Sequence, residues 1–384
     1  MKATELIHPV EAREDAAPLT TPIYETTTFV FESAEEVRQY NEGKSTKFLY
    51  SRYGNPTVTA VERTIAALEG GEVALVLSSG QAATTTALLG LLKAGDEVVC
   101  SSAIYGGTLH LIADLLPKFG IKSRFVSLED LGQPDSVISN ATKLLWFESP
   151  INPTLRCVDV AAIARACRAR KVISAVDNTF ASPVNQLPIA LGVDIVMHSA
   201  TKYLNGHSDV TAGALVGPAG LLEPVIKARR QLGTVLDPYA AYALGRGLKT
   251  LAVRVERHNA SALAIARWLS RDRRVERVYY PGLETHPDHA LAARQMRGFG
   301  GVICIDLGGS YERAASFFDR LSVFRRAASL GGVESLCSLP VLTSQWGHSA
   351  DELARAGVTH GMARLSVGLE DVEDLIADLD QALG

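Results

Sequence analysis

The chain has 384 residues, 47% of them hydrophobic, with 38 basic residues against 42 acidic ones and a formal net charge of −4. That is enough apolar chain for a large core in about two domains, and the balanced charge, with no lysine/arginine block, argues against a nucleic-acid partner. The apolar runs fall far short of a membrane span, and residues 1–13 carry charges where a signal peptide needs an apolar stretch, so the expected location is cytoplasmic.

Residues 1–47 are polar and proline-bearing, with one short helix expected near Ala34–Asn41. They read as an N-terminal arm, residues 1–50, laid over the rest. In Leu49–Pro56, Asn55-Pro56 is a helix start, with asparagine at the cap and proline in the first position. The helix runs to about Glu69 and stops at Gly70-Gly71. From Val73 strands and helices alternate. Strands are expected at Val73–Leu77, Glu97–Ser101, Lys122–Val126, Lys143–Phe147, Val172–Val176, Val193–Met197 and Ala212–Val216. Helices are expected at Gln81–Leu92, Thr108–Phe119 and Val160–Arg170. This rhythm predicts βαβ units: an α/β domain over residues 51–245, its seven-stranded sheet mostly parallel and covered on both faces. Leu221–Gln231 and then Pro238–Leu269 are helical, the second as one unusually long helix. After Arg271 a smaller set follows, with strands Val275–Tyr279, Gly301–Asp306 and Ala363–Val367 and helices Glu312–Leu321 and Asp371–Leu383. It predicts a compact α+β domain over residues 246–384. The five cysteines form no CxxC pair and read as small buried apolar residues. His286 and His289 have a metal-like spacing but no third ligand near them, so no metal is expected.

The chemistry gathers at strand ends. Val193–Met197 runs directly into His198-Ser199-Ala200-Thr201-Lys202, which places two hydroxyls and an amine at the carboxyl edge of a sheet, where α/β proteins bind ligands. Apolar neighbours on both sides predict a partly desolvated Lys202 with a lowered pKa, able to form a Schiff base. Ser78-Ser79-Gly80-Gln81 ends one strand and opens a helix, whose free amides make a phosphate cradle, although many such turns bind nothing. Asp177, in VDNTF, can cap the following turn or hold a proton on a pyridine nitrogen. Asn152, in ESPINPT, is either an Asn-Pro turn or a donor to a phenolate oxygen at the same sheet edge.

Together these features make the combination that a pyridoxal 5′-phosphate (PLP) enzyme requires. The motifs YSRYGNPT, SSGQAA, ESPINPT, VDNTFASP, HSATKYLNGHSDV and ARLSVGLED resemble the Cys/Met-metabolism (transsulfuration) family of PLP enzymes, from about Pro22 to the C-terminus. That family holds cystathionine γ-synthase, cystathionine γ-lyase, methionine γ-lyase and the O-acylhomoserine sulfhydrylases. The resemblance implies the fold type I architecture of aspartate aminotransferase, with residues 51–245 as the PLP-binding domain. It also implies a role at each matching position. Lys202 would be the Schiff-base lysine and Asp177 the partner of the pyridinium. Tyr105 would stack on the ring and move protons, and Gly80, Gln81, Ser199 and Thr201 would hold the phosphate. Tyr50 and Arg52 would reach the phosphate of a neighbouring subunit, within a homotetramer built as a dimer of dimers with shared active sites. Arg364 would bind the substrate α-carboxylate, with Ser329 beside it; guanidinium suits that task because it pairs bidentately and stays charged.

Members that handle cystathionine resemble one another in an acidic residue just before YSR and a glutamate just before SLGG. Here Leu49 and Ala328 stand at those places, and Glu334 is displaced from the second. An uncharged pair suggests a substrate tail without a second ammonium, hence γ-elimination on methionine or a homoserine derivative by a carbon–sulfur lyase. Gly107 stands where some methionine γ-lyases have a cysteine, which keeps γ-replacement by a cystathionine γ-synthase or sulfhydrylase as the alternative. A protein that binds PLP without catalysis would be expected to lack Lys202, Asp177 or Arg364, and all three are present. Trp346 and His348 are expected near the substrate entrance.

Overall fold

The computed structural model describes Thr4 and residues 18–308 and 310–384. The reading of residues 1–13 as charged where a signal peptide is apolar lies, apart from Thr4, outside them. The short helix of the arm spans Ala34–Asn41, and the next spans Pro56–Glu69, where the Asn55 side chain accepts from the Thr57 N–H at 2.9 Å. An asparagine cap on a proline start satisfies one of the amides that the first turn leaves free.

Seven strands follow: β1 (Val73–Leu77), β2 (Glu97–Ser101), β3 (Lys122–Val126), β4 (Thr142–Glu148), β5 (Ile173–Asp177), β6 (Ile195–His198) and β7 (Gly213–Gly217). They form one sheet in the order β1-β7-β6-β5-β4-β2-β3. Only β7 runs antiparallel to its neighbours, so the other six strands point their carboxyl ends to one edge. The inner strands read in the sequence as apolar runs because both faces are covered, whereas the edge strand β3, KSRFV, is largely polar and only partly buried. Leu145 and Phe147 of β4 enter one apolar layer while Leu144 and Trp146 enter the other.

A second sheet has the order β10-β11-β12-β9-β8, from β8 (Arg277–Tyr279), β9 (Val302–Asp306), β10 (Arg325–Arg326), β11 (Leu336–Ser338) and β12 (Met362–Ser366). Helices Tyr311–Arg320 and Val372–Leu383 belong to this half, and one apolar core joins it to the large sheet, running from Val58 through Val176 to Leu379.

Two helical expectations need correction. Pro238–Leu269 is two helices, Pro238–Leu248 and Leu251–Leu269. The carbonyl of Gly247, which a continuous helix would give to the Leu251 N–H, instead accepts from the Thr250 N–H at 3.2 Å and from Arg254 Nη2 at 2.8 Å. Thr108–Phe119 is likewise broken, into an α-helix at Gly106–His110, a π turn at Leu111–Leu115 and a 3₁₀ turn at Leu116–Phe119. Pro117 has no N–H to continue the ladder, and its ring crowds the carbonyl one turn back.

Candidate active site

The strand ends meet in a cavity of about 550 Å³ between the two sheets. Its lining includes Gly80 and Gln81 after β1, Glu148 of β4, Asp177 of β5, Ser199, Thr201 and Lys202 after β6, and Arg364 of β12. Tyr105, Asn152 and Ser329 line it too, so it gathers ten of the twelve residues expected at the site.

Helix Gly80–Leu91 begins at the cavity wall. Ser79 caps it by accepting from the Ala82 N–H at 2.9 Å, which leaves the amides of Gly80 and Gln81 without an acceptor inside the helix. A Cβ on Gly80 would lie 3.0 Å from Ser199 Oγ and 2.9 Å from Ser199 Cβ, so glycine is what lets the loop after β6 close on the helix start. Free amides, the helix dipole and the Ser199 hydroxyl then face one point, an arrangement that suits a phosphate. The Thr201 hydroxyl is engaged elsewhere, donating to the Ala212 carbonyl at 3.1 Å and accepting the Ala212 N–H at 2.9 Å.

Asp177 is the last residue of β5, one position later than the strand expected from sequence. Thr179 donates to Asp177 Oδ1 from both its N–H and its hydroxyl, and the same hydroxyl accepts the Ser199 N–H at 2.8 Å. Burial pushes the Asp177 carboxyl above its usual range, against the two Thr179 bonds. A buried acid at this place is matched by a cationic ring nitrogen, since an opposite charge favours the ionised carboxylate.

Lys202 Nζ donates to Ser329 Oγ at 2.8 Å. Burial, with the nearby Arg364 cation adding to it, brings the amine down to about 8, as expected of a desolvated lysine. Arg364 itself is buried on the central β12. Its Nη1 donates to Asn152 Oδ1 at 2.9 Å and its Nη2 to the Ser329 carbonyl at 3.0 Å, while Nε is buried without a partner. Asn152 therefore spends its oxygen on Arg364 and keeps its amide hydrogens for another acceptor.

Tyr105 is half exposed at the mouth. A Cβ at Gly107 would fall 2.6 Å from the Tyr105 ring and 2.9 Å from Gln81 Oε1, so any other residue there would shift the Tyr105 ring or the Gln81 side chain. Tyr50 and Arg52 are not brought to this cavity. Arg52 Nη1 donates to the Arg230 carbonyl at 2.6 Å, and its guanidinium lies 4.7 Å from the centre of the Tyr53 ring. Ala328 and Leu330 flank Ser329 in the lining, with Thr343 and Ser344 nearby. Trp346 is 71% exposed and outside the lining, and the His348 ring stands edge-on to His110 at 6.4 Å. Glu334 accepts from Ser208 Oγ at 3.0 Å and is not in the lining either.

Sequence reasoning missed two members. Glu148 closes β4 with its carboxyl buried in the cavity wall, and Thr179 orders Asp177 and Ser199 together. The signal for Glu148 was an acid ending an apolar strand at the very edge that holds Asp177 and Lys202.

The donor set fits PLP: a phosphate cradle, a buried acid, a desolvated lysine and an arginine on one cavity. Residues 3–384 match the family described as Cys/Met metabolism PLP-dependent enzyme. The chain is 41% identical over 383 residues to the L-methionine gamma-lyase of Fusobacterium nucleatum subsp. polymorphum, covering 99% of this chain and 97% of that one. It is also 41% identical over 366 residues to the chloroplastic cystathionine gamma-synthase 1 of Nicotiana tabacum, covering 95% of this chain and 68% of that one. Among solved structures, metB of Corynebacterium glutamicum superposes with a TM-score of 0.92 at 39% identity, covering 99% of this chain and 97% of that one. With its motifs, fold and cavity in agreement with these likenesses, the chain belongs to the Cys/Met-metabolism family of PLP-dependent enzymes.

Proposed function

We propose that the enzyme is a carbon–sulfur lyase that carries out γ-elimination on methionine or a homoserine-derived amino acid. With methionine and water it would give 2-oxobutyrate, ammonia and methanethiol. One observation carries the choice of tail. The ionisable acids and bases in the cavity lining are Glu148, Asp177, Lys202 and Arg364, while Ala328, Leu330, Thr343 and Ser344 bring no acid to meet a distal ammonium.

Bound PLP supplies the electron sink that acidifies the hydrogens on the substrate's α- and β-carbons. The chain's own residues do the rest. Gly80 and Gln81, through their amides, and Ser199, through its hydroxyl, hold the phosphate; Thr201 would join them only by giving up its bond to the Ala212 carbonyl. Asp177 keeps a proton on the ring nitrogen, and Asn152 donates its amide to the phenolate oxygen. Arg364 takes the α-carboxylate bidentately, placing Cα beside Lys202 Nζ. The Lys202 amine, brought down to about 8, takes the Cα proton and then serves the Cβ proton, with the Ser329 hydroxyl keeping its position. The Tyr105 hydroxyl gives a proton to the departing γ-sulfur. Tyr50 and Arg52 lie outside their own chain's cavity, which supports a role in the site of a second copy within a homotetramer.

Gly107, standing where some methionine γ-lyases have a cysteine, supports the second reading, γ-replacement, in which a thiol takes the place of water. Incubating the PLP-loaded enzyme with methionine, with cystathionine, and with O-acylhomoserine plus cysteine separates the two. The proposal expects 2-oxobutyrate and methanethiol from methionine. Release of 2-oxobutyrate from cystathionine with none from methionine would overturn it. Among the described residues no helix is long and apolar enough to cross a membrane, and we place the enzyme in the cytoplasm.

A further inference from the structure

Glu148 has no part in the chemistry above, yet it is buried in the wall of the same cavity. Its Oε2 accepts the backbone N–H of Tyr105 at 2.8 Å and its Oε1 accepts the backbone N–H of Asn152 at 3.1 Å. Those two amides belong to different segments: the turn that presents the Tyr105 ring, and the loop whose Asn152 side chain holds Arg364 at 2.9 Å. In the β4–β5 register Glu148 stands opposite Asp177, so two acids share one edge of the sheet. Burying a carboxyl beside a second one is costly unless its bonds are worth it, and an apolar residue would complete β4 as well. Such a residue would leave the Tyr105 and Asn152 amides without the acceptor they have here.

We propose that Glu148 is a positioning residue: from one carboxyl group it sets both the Tyr105 ring and the Asn152–Arg364 pair. This goes beyond the choice of substrate and holds for elimination and replacement alike. Glutamine at this place keeps one acceptor oxygen and turns an N–H donor toward the second amide, so one of the two anchors is lost. Aspartate keeps both acceptor oxygens but is one methylene short.

The test uses the PLP-loaded full chain, unaltered and as E148Q and E148D. Two ligands without a leaving group are titrated against the visible band of the bound cofactor: L-norleucine and its decarboxylated counterpart, pentylamine. PLP affinity of the cofactor-free protein is followed separately by quenching of tryptophan fluorescence, Trp146 lying two residues before Glu148 on β4. Burial, and then the Asp177 carboxyl beside it, push Glu148 up to about 8, so loss of one buried hydrogen bond, without a charge, predicts that E148Q binds norleucine up to about tenfold more weakly while pentylamine changes by no more than about threefold. E148Q should also bind PLP more weakly, and E148D should recover part of the norleucine loss. Equal weakening of norleucine and pentylamine, which packing alone would give, overturns the proposal, as does no change in norleucine. If E148Q does not fold, E148D decides: a loss confined to norleucine supports the role, and unaltered norleucine binding refutes it.

Discussion

The two walls of the cavity are built differently. On one side each ionisable group is held by at least one hydrogen bond. Asp177 is held by Thr179, Lys202 by Ser329, Arg364 by Asn152 and the Ser329 carbonyl, and Glu148 by two backbone amides. The tail-side wall, formed by Ala328, Leu330, Thr343 and Ser344, is different. The bonds of the 340s segment run to its own neighbours, such as Thr343 Oγ1 to the Leu339 carbonyl at 2.8 Å, and Trp346 beyond it stands exposed. Groups shared by every reaction of the family need fixed geometry, whereas a wall that selects a tail can vary without disturbing them.

Arg364→Ala is the strongest way to break the tied wall. It removes the carboxylate partner and leaves Asn152 Oδ1 and the Ser329 carbonyl without their donor. Two charge-assisted hydrogen bonds predict a fall in kcat/KM of roughly 10³-fold, near 4 kcal/mol. A fall of less than tenfold in steady-state assays would show that the carboxylate is held elsewhere.

Behind that wall, His258 is fully buried, its ring edge-on to Tyr203 at 5.5 Å. Burial, and then the Arg254 cation, holds it down at about 4. A histidine that is harder to protonate when folded stabilises the protein fully above its unfolded value near 6.5, and that stability is lost as pH falls toward 4. By linkage the loss is on the order of 3 kcal/mol. His258→Phe keeps the ring contact, so its melting temperature should match the parent at pH 8 and exceed it near pH 4.5. Parallel acid limbs in the two proteins would show that His258 does not titrate on unfolding.

Ala328→Glu is the mildest change, and it sharpens the tail side of the comparison. It places an acid next to Ser329, where a distal ammonium would lie, and a pairing this exposed is worth about 1 kcal/mol. Preference for cystathionine over methionine, read as the ratio of kcat/KM values, should rise about fivefold. An unmoved ratio would take Ala328 out of tail selection.

Much of this was legible in the sequence, and for physical reasons. β1 and β2 lie where the apolar runs put them, because strands buried on both faces read as apolar stretches. Asn55-Pro56 announced its helix through local chemistry alone. What stayed hidden has other causes. The helix breaks before Leu251, where the Thr250 N–H and Arg254 take the Gly247 carbonyl, and the long apolar periodicity on either side masked the weak helix formers Gly245, Gly247 and Thr250. β10 and β11 are too short to show a period. Glu148 looked like the end of a strand because its two partners are backbone amides, which no sequence pattern displays.

The account rests on Lys202 as the residue that carries the cofactor. Reducing the PLP-loaded protein with borohydride, digesting it and sequencing the peptides by mass spectrometry tests that directly. The phosphopyridoxyl mass should sit on Lys202 alone. The same mass on another lysine, or on none while the visible band of bound cofactor persists, would contradict it.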